Sequence, residues 1–414
     1  MEIPSSLAET RSSAERRQCT PSLGAFFLVP MEQQLVLQVP KEPTCLSLAD
    51  SGEVTNSSLR MELIPTPHYS ESAVGQRVFG VLGVLRLALG RHLVVVTERE
   101  LCGSIQGRSV WKASAVEAVP IPATATATGT PEQLKAYESN LANLKLFLRD
   151  TLFYFSYDFS LTLSQQLLDA LPQDGSAGFQ WEHSEESFFW NMSIAVPFCR
   201  AGFGRFVVAA IDGFFQSCVV QVQRTALRVS LISRRSRHRA GTRFLTRGID
   251  PGGHVANFVE TEQILELVEQ GLLYSWVTVR GSIPVVWSQL GTERIPRPVV
   301  HHSFFAADAF RKHMAQLRQA YGAGITLINL IDQSGKEAHL GDAYEMAVRL
   351  FASPDIRYVS VDFHELTKGD KYENLSQLMD VLADDITAEV WFSKSSQGRT
   401  SKQRTVARVN CVDW

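Results

Sequence analysis

Eight arginines and His238, with no acid among them, fall within the 24 residues from Arg224 to Arg247. Clustered guanidiniums hold phosphate through paired N–H donors, which the point charge of lysine does not reproduce. The segment is either an anion site or a solvated loop whose arginines find acids elsewhere in the fold. RNA is a poorer match, because no aromatic residues alternate with the arginines to stack bases. Downstream, VANFVETEQ (255–263) carries Glu260 and Glu262 two residues apart, so they share a face only on a strand. Such a pair serves acid–base chemistry or forms ion pairs with the arginine segment. In RGSIPVVWSQ (280–289), Arg280 stands at the mouth of an irregular apolar stretch containing Pro284 and Trp287. Near the C-terminus, Cys411 follows the candidate strand VARVN (406–410). A lone thiol becomes a nucleophile only where its surroundings stabilise the thiolate.

Two other motifs fail on inspection. Gly202-Phe203-Gly204 lacks the third glycine of a dinucleotide loop and the GK[ST] of a nucleotide-binding loop. His301 and His302 are adjacent, so their side chains do not converge on one ion, and no nearby Cys or His completes a metal site.

The elements that must position these groups belong to an ordinary globular chain of 414 residues, 45% hydrophobic and 20% charged. A net charge of −3 argues against a protein that coats nucleic acid. Six scattered cysteines without a CxxC spacing exclude a zinc knuckle and fit a reducing compartment. The most apolar run, Val78 to Val96, is broken by Arg86, Arg91, His92 and three glycines, too often for a membrane span. Residues 1 to about 30 are polar and aperiodic and read as a disordered extension, and roughly 48–60 reads as loop. Strands dominate 32–165, with a hairpin at Gly90 and one helix over 132–148. Later the pattern becomes helix, strand, helix, strand, helix. Phe310, Met314, Leu317 and Tyr321 share one helix face, ITLINLI (325–331) is a doubly buried strand, and RYVSVDF (357–363) is a second. The fold class is mixed α/β.

SRRSRHRAGTRFLTRGID (233–250), VANFVETEQ and RGSIPVVWSQ, in this order and spacing, resemble the Sac-domain phosphoinositide phosphatases. FGVLGVLRLALGRHLVVVT (79–97), FYFSYDFSLTL (153–163), INLIDQSGKE (328–337) and RYVSVDFHE (357–365) support the match. The similarity spans about residues 60–413, and within the family it points to the phosphatidylinositol 4-phosphate phosphatase of the endoplasmic reticulum and Golgi. After the disordered extension at 1–31, it implies a strand-rich subdomain over 32–200 and an α/β catalytic subdomain over 201–414. The family's catalytic loop reads Cys, five residues, Arg, then Thr or Ser. Arg408, Asn410, Cys411 and Asp413 match its start, while Val409 replaces a small polar residue. The resemblance therefore implies Cys411 as a nucleophile forming a phosphocysteine and Asp413 as a loop acid. The substrate-binding residues expected are Arg239, Arg243, Arg247 and Arg280. No metal or cofactor is implied.

Trp414 stands where the family has a second cysteine and is the last residue, so this form is expected to lack the loop arginine and to be inactive or nearly so. Losing one such transition-state contact typically costs about 10²–10³ in rate. The implied partner is a phosphoinositide headgroup, met from the cytoplasm at the cytosolic face of endoplasmic reticulum and Golgi membranes. Nucleic acid is not expected, nor is a transmembrane segment in this chain. The alternative is a non-catalytic phosphoinositide-binding or regulatory fragment.

Overall fold

A computed structural model describes residues 26–412 except 32–33, 41, 51–58, 66–74, 123–128, 173–180, 243, 294, 323 and 388–390. Five strands, β1 (Phe26–Pro30), β2 (Leu35–Gln38), β3 (Thr44–Asp50), β4 (Leu59–Pro65) and β5 (Gln76–Val78), form an antiparallel sheet ordered β4-β3-β2-β1-β5. The expected disordered extension does not reach over Phe26–Pro30. β1 is hydrogen-bonded on both edges, and Leu28 joins Leu35, Leu37, Leu46 and Phe206 in one core. The remainder of that extension, 1–25, lies outside the described residues. The expected loop at 48–60 is likewise strand at both ends, in β3 and β4, and its middle (51–58) lies outside the described residues.

A second sheet of thirteen strands follows. Its first part comprises β6 (Gly80–Leu87), β7 (Gly90–Ile105), β8 (Arg108–Pro120), β9 (Phe153–Phe155), β10 (Ile211–Val222), β11 (Thr225–Arg235), β12 (Val259–Leu267) and β13 (Leu272–Arg280), all antiparallel neighbours. Helices α1 (Pro131–Asp150), α2 (Gln165–Asp169) and α3 (Met192–Arg200) are interspersed. A short ribbon, β14 (Trp287–Ser288) with β15 (Val299–Val300), stands apart from the sheet. The chain then alternates α4 (Ala306–Tyr321), β16 (Gly324–Asn329), α5 (Ala338–Phe351), β17 (Ile356–Ser360), α6 (Phe363–Leu366) and α7 (Leu375–Thr387). It closes with β18 (Phe392–Lys394), β19 (Thr400–Ser401) and β20 (Thr405–Asn410).

The order β17-β16-β20-β13-β12 makes β20 a central strand, parallel to both β16 and β13. One sheet therefore runs across residue 200. The helical spacing at 310–321 holds: Phe310, Met314, Leu317 and Tyr321 of α4 pack with Ile325, Leu327, Tyr344 and Val406. β16 is buried along nearly its whole length, as a parallel strand covered on both faces should be.

Asn191 lies in a three-residue glycosylation sequon, yet its side chain is buried and fully used. Its Nδ2 donates to Leu82 O (2.8 Å) and Val208 O (2.9 Å), and its Oδ1 accepts from Ala210 N (2.9 Å). It thereby ties β6 to the approach of β10. Asn191→Ala leaves three buried backbone groups without this partner and is expected to lower unfolding free energy by roughly 2–3 kcal/mol in urea titration. An unchanged midpoint would show that water replaces the amide.

Candidate functional site

Along β20 the fully buried residues are Val406, Arg408 and Asn410, while Ala407 and Val409 are half-buried on the other face against Ile328, Val359 and Leu382. Two polar side chains thus enter the core between α4 and α5. Arg408 is fully buried, and its Nε donates to His313 Nε2 (3.0 Å) and its Nη2 to Ser282 O (2.8 Å). Its Nη1 donates to Asn410 Oδ1, which also accepts from Tyr344 Oη (3.1 Å). Asn410 Nδ2 returns a hydrogen bond to Gly281 O (2.7 Å). Among the described residues no carboxylate pairs with Arg408, and burial pushes its pKa down against an opposing contribution from Tyr344. This network clamps the segment after β13 to the end of β20, where Cys411 emerges.

Arg280 and Cys411 come together there. Arg280 is opposite Val409 in the parallel ladder. Burial lowers the Arg280 pKa, and the nearby Cys411 sulfur opposes that shift, which marks an electrostatic contact between the two. On the other flank Asn329 is opposite Asn410, and Leu330 N donates to Asn410 O (2.8 Å). The thiol therefore sits at the carboxyl ends of the parallel strands, the position where open α/β sheets bind ligands. Asp413 lies outside the described residues.

The arginine segment is not one patch. Strand alternation and a turn divide it among separate tasks. Arg234 is buried and donates to Glu260 Oε1 and Glu262 Oε2, both at 2.7 Å, and to Leu161 O and Leu163 O. Tyr321 Oη donates to Glu260 Oε2 (2.6 Å), while Gln165 N and Ser275 Oγ donate to Glu262 Oε1. The Glu260–Glu262 pair is thus an ion-pair partner of Arg234. Burial works against the Arg234 cation, but Glu262 and Glu260 outweigh it and hold its pKa above the ordinary value. Burial raises the Glu260 pKa against the pull of Arg234. Arg235 pairs with Asp212 (3.4 Å), and Arg237 with Glu186.

Arg239 and Arg247 are joined to each other. Arg239 has φ +48° and donates from Nη2 to Arg247 O (2.7 Å). Arg247 is buried, donates from Nε to Gln289 Oε1 (3.0 Å), and stacks over Phe244 and Trp287. Next to it Gly248 has φ +70°, and a Cβ there would meet Val285 O at 2.8 Å and Trp287 N at 2.9 Å, so only glycine fits. Gly248 N donates to Ser282 Oγ (2.8 Å), placing this turn directly against the segment that Arg408 holds. Arg243 lies outside the described residues.

Other groups show what the sequence reading missed. Asp332 and His364, at the ends of β16 and β17, form a hydrogen bond of 2.7 Å that raises the His364 pKa. Both fall in the matched stretches INLIDQSGKE and RYVSVDFHE, but nothing in their spacing pairs residues 32 apart. His301 binds Ser288 Oγ (2.7 Å), and among the described residues no cluster fit for a metal ion occurs. A cavity of about 340 Å³ is lined by His254, Glu260, His313 and Tyr321 without Cys411 or Arg280.

Two stability effects follow from these networks. Arg234→Met strands two buried carboxylates and is expected to cost about 3–5 kcal/mol in chemical unfolding; a cost under 1 kcal/mol would mean that the carboxyls protonate freely. The second concerns His313, whose Nε2 accepts from Arg408, so its Nδ1 carries the proton and donates to Gly253 O (3.0 Å). Burial first, then the Arg408 cation, push its pKa well below the ordinary value. Below about pH 6.5 the unfolded chain binds a proton here and the native chain does not. Stability present above that pH is therefore lost as pH falls, by up to about 1.4 kcal/mol per pH unit from this group. His313→Gln keeps an acceptor and a donor and should flatten that slope. Parallel urea-unfolding curves for parent and variant would remove His313 from the account.

The family model of the SacI homology domain matches residues 79–368, which include the arginine segment and Arg280; Cys411 lies beyond them. Phosphoinositide phosphatase SAC7 of Arabidopsis thaliana is 30% identical over 377 residues, covering 90% of this chain and 62% of that protein. Phosphatidylinositide phosphatase SAC2 of Mus musculus is 36% identical over 300 residues, 65% of this chain and 26% of its own length. Phosphatidylinositol-3-phosphatase SAC1 of Drosophila melanogaster is 34% identical over 342 residues, 82% and 56% respectively. This chain thus spans less than two thirds of these relatives. With more than half of its residues matched, the chain belongs to the SacI homology domain family.

Proposed function

We propose that the chain serves the dephosphorylation of phosphatidylinositol monophosphates, phosphatidylinositol 4-phosphate first among them, at the cytosolic face of endoplasmic reticulum and Golgi membranes. The observation that carries this reading is the meeting of Arg280 with Cys411 at the carboxyl ends of β13 and β20. A cation beside a thiol favours the thiolate, and the same guanidinium can hold phosphate oxygens. In the proposed reaction the Cys411 sulfur attacks phosphorus and the bond to the inositol oxygen breaks, with that oxygen taking a proton. Water then cleaves the phosphocysteine, releasing phosphate and restoring the thiol. Asp413 is the proposed proton donor, and Arg239, Arg243 and Arg247 are proposed to hold the headgroup. The reaction uses no metal or cofactor.

A second reading is headgroup binding without turnover. It is favoured by the Arg239–Arg247–Gln289 chain of hydrogen bonds, which presets cations independently of the thiol. Phosphate release from phosphatidylinositol 4-phosphate vesicles separates the two. The assay takes the 414-residue chain and a chain extended through a Cys-x5-Arg loop. Under the catalytic reading Cys411→Ser abolishes release, and Arg280→Ala lowers it by about 10²–10³-fold. Binding without release in the 414-residue chain, with release in the extended one, favours the second reading for this chain. Release that survives Cys411→Ser overturns the nucleophile assignment.

A further inference from the structure

The ribbon that follows Arg280 carries apolar side chains that the fold holds outward. Along residues 295–299 burial alternates. Pro296 and Pro298 are buried, whereas Ile295, Arg297 and Val299 are exposed on the opposite face. Leu290 is 62% exposed, and Phe304, just past the ribbon, has no cover at all at 102%. Leu245, in the turn that Arg247 anchors, is 73% exposed.

These positions are fixed rather than loose. Gln289 Nε2 donates to Pro296 O (3.0 Å), His301 N donates to Val286 O (2.8 Å), and Trp287 is buried with its Nε1 on Ile283 O. Arg247 braces Gln289 from the neighbouring turn, and Phe305 packs with Ile249 and Val286, bringing Phe304 to the same turn.

The sequence of this rim is net positive. Between Trp287 and Phe304 the sequence has a single acid, Glu293, against Arg294 and Arg297. Glu293 is already paired with Lys336 (3.1 Å). Outward apolar side chains beside the exposed Arg297, continuous with the Arg247–Arg280 side of the site, are complementary to an anionic bilayer and its acyl boundary.

We infer that the β14–β15 ribbon, with Leu245 and Phe304, is a membrane-contacting rim that inserts Leu290, Ile295, Val299 and Phe304 into the lipid surface while Arg297 meets its phosphates. The inference rests on the proposed lipid substrate, and it assigns the rim the job of delivering a headgroup to Arg280 and Cys411. Insertion of side chains of this size strengthens binding in proportion to the apolar area removed from water, whereas the cations contribute a part that salt screens.

The test is co-sedimentation of the 414-residue chain with phosphatidylcholine vesicles, with and without phosphatidylinositol 4-phosphate. The parent is compared with a variant carrying Ile295→Ser and Phe304→Ser, and with a control carrying Leu146→Ser and Phe147→Ser, exposed positions on α1. The rim variant is expected to bind lipid-containing vesicles at least about tenfold more weakly, with parent-like binding of a water-soluble, short-chain phosphatidylinositol 4-phosphate. The control should match the parent. Phe304→Trp adds an indole at the rim whose emission should shift to the blue with vesicles and become sensitive to a bilayer quencher, which tests the inference even where the serine variant unfolds.

Equal vesicle binding by parent and rim variant, or no blue shift, overturns the rim. A concentration-dependent dimer that the rim variant abolishes, without any change in vesicle binding, also overturns it in favour of a second copy. Loss of vesicle binding in the rim variant with no binding of the soluble lipid by the parent keeps the rim and rejects the proposed headgroup site.

Discussion

Six residues, Thr405–Asn410, join the antiparallel and the parallel portions of the main sheet, and they carry the site with them. β13 is the last antiparallel strand on one side, and β16 and β17 lie on the other. Among the described residues only β20 is laddered to both, through Thr278–Arg280 and through Gly324–Asn329. Without it two strand edges would face each other unpaired, a state that buried backbone does not tolerate. The strand that closes the sheet comes last in sequence and contacts segments more than eighty residues upstream, so its pairing is entirely non-local. Arg280 and Cys411, 131 positions apart, become neighbours as a direct consequence of that ladder.

The interior cation on this strand explains why the closure is specific. A guanidinium without a carboxylate loses its hydration on burial and regains it only through well-aligned neutral acceptors. Arg408 has them in Ser282 O, Asn410 Oδ1 and the lone pair of His313 Nε2. A slip of β20 by one residue would exchange the face of Arg408 and Asn410 with that of Ala407 and Val409, which packs on Ile328, Val359 and Leu382, losing all of these hydrogen bonds at once. Arg234 reaches the same end by the opposite route, with two carboxylates and two carbonyls. Its partners come from β12 and from the 161–163 segment, so it fixes the antiparallel side while Arg408 fixes the seam.

Periodicity revealed the parts of the fold in which apolar residues do the packing. The α4 face at Phe310, Met314, Leu317 and Tyr321 and the buried run in β16 are visible because hydrophobic spacing and burial coincide there. β20 was legible as a strand but not as a central one, since its buried face is Val406, Arg408 and Asn410 and hydropathy alone would turn two of these outward. In the arginine segment spacing alone could not choose between an anion site and arginines paired with acids elsewhere, because β11 alternates its arginines across two faces and the turn at Gly248 redirects the rest. Glu260 and Glu262 share a face because they lie two apart on β12, yet only the cross-strand register with Arg234 decides between chemistry and ion pairing. FFLVP at the start of β1 was obscured because its partners, β2 and β5, lie at different distances along the chain.

The division of the arginines also sets what the site can recognise. Arg234 is committed to Glu260 and Glu262, Arg235 to Asp212 and Arg237 to Glu186, so these charges are neutralised where they stand. Arg239 donates to Arg247 O, Arg247 donates to Gln289 Oε1 while stacking on Trp287, and Arg280 lies within electrostatic reach of the Cys411 sulfur. These three guanidiniums shape the local field at this end of the sheet, within a chain whose net charge is −3. Such a local field, backed by buried Trp287 and the low-dielectric core behind it, is weakly screened and acts over the first few ångströms, the range over which the proposed phosphate ligand would be oriented.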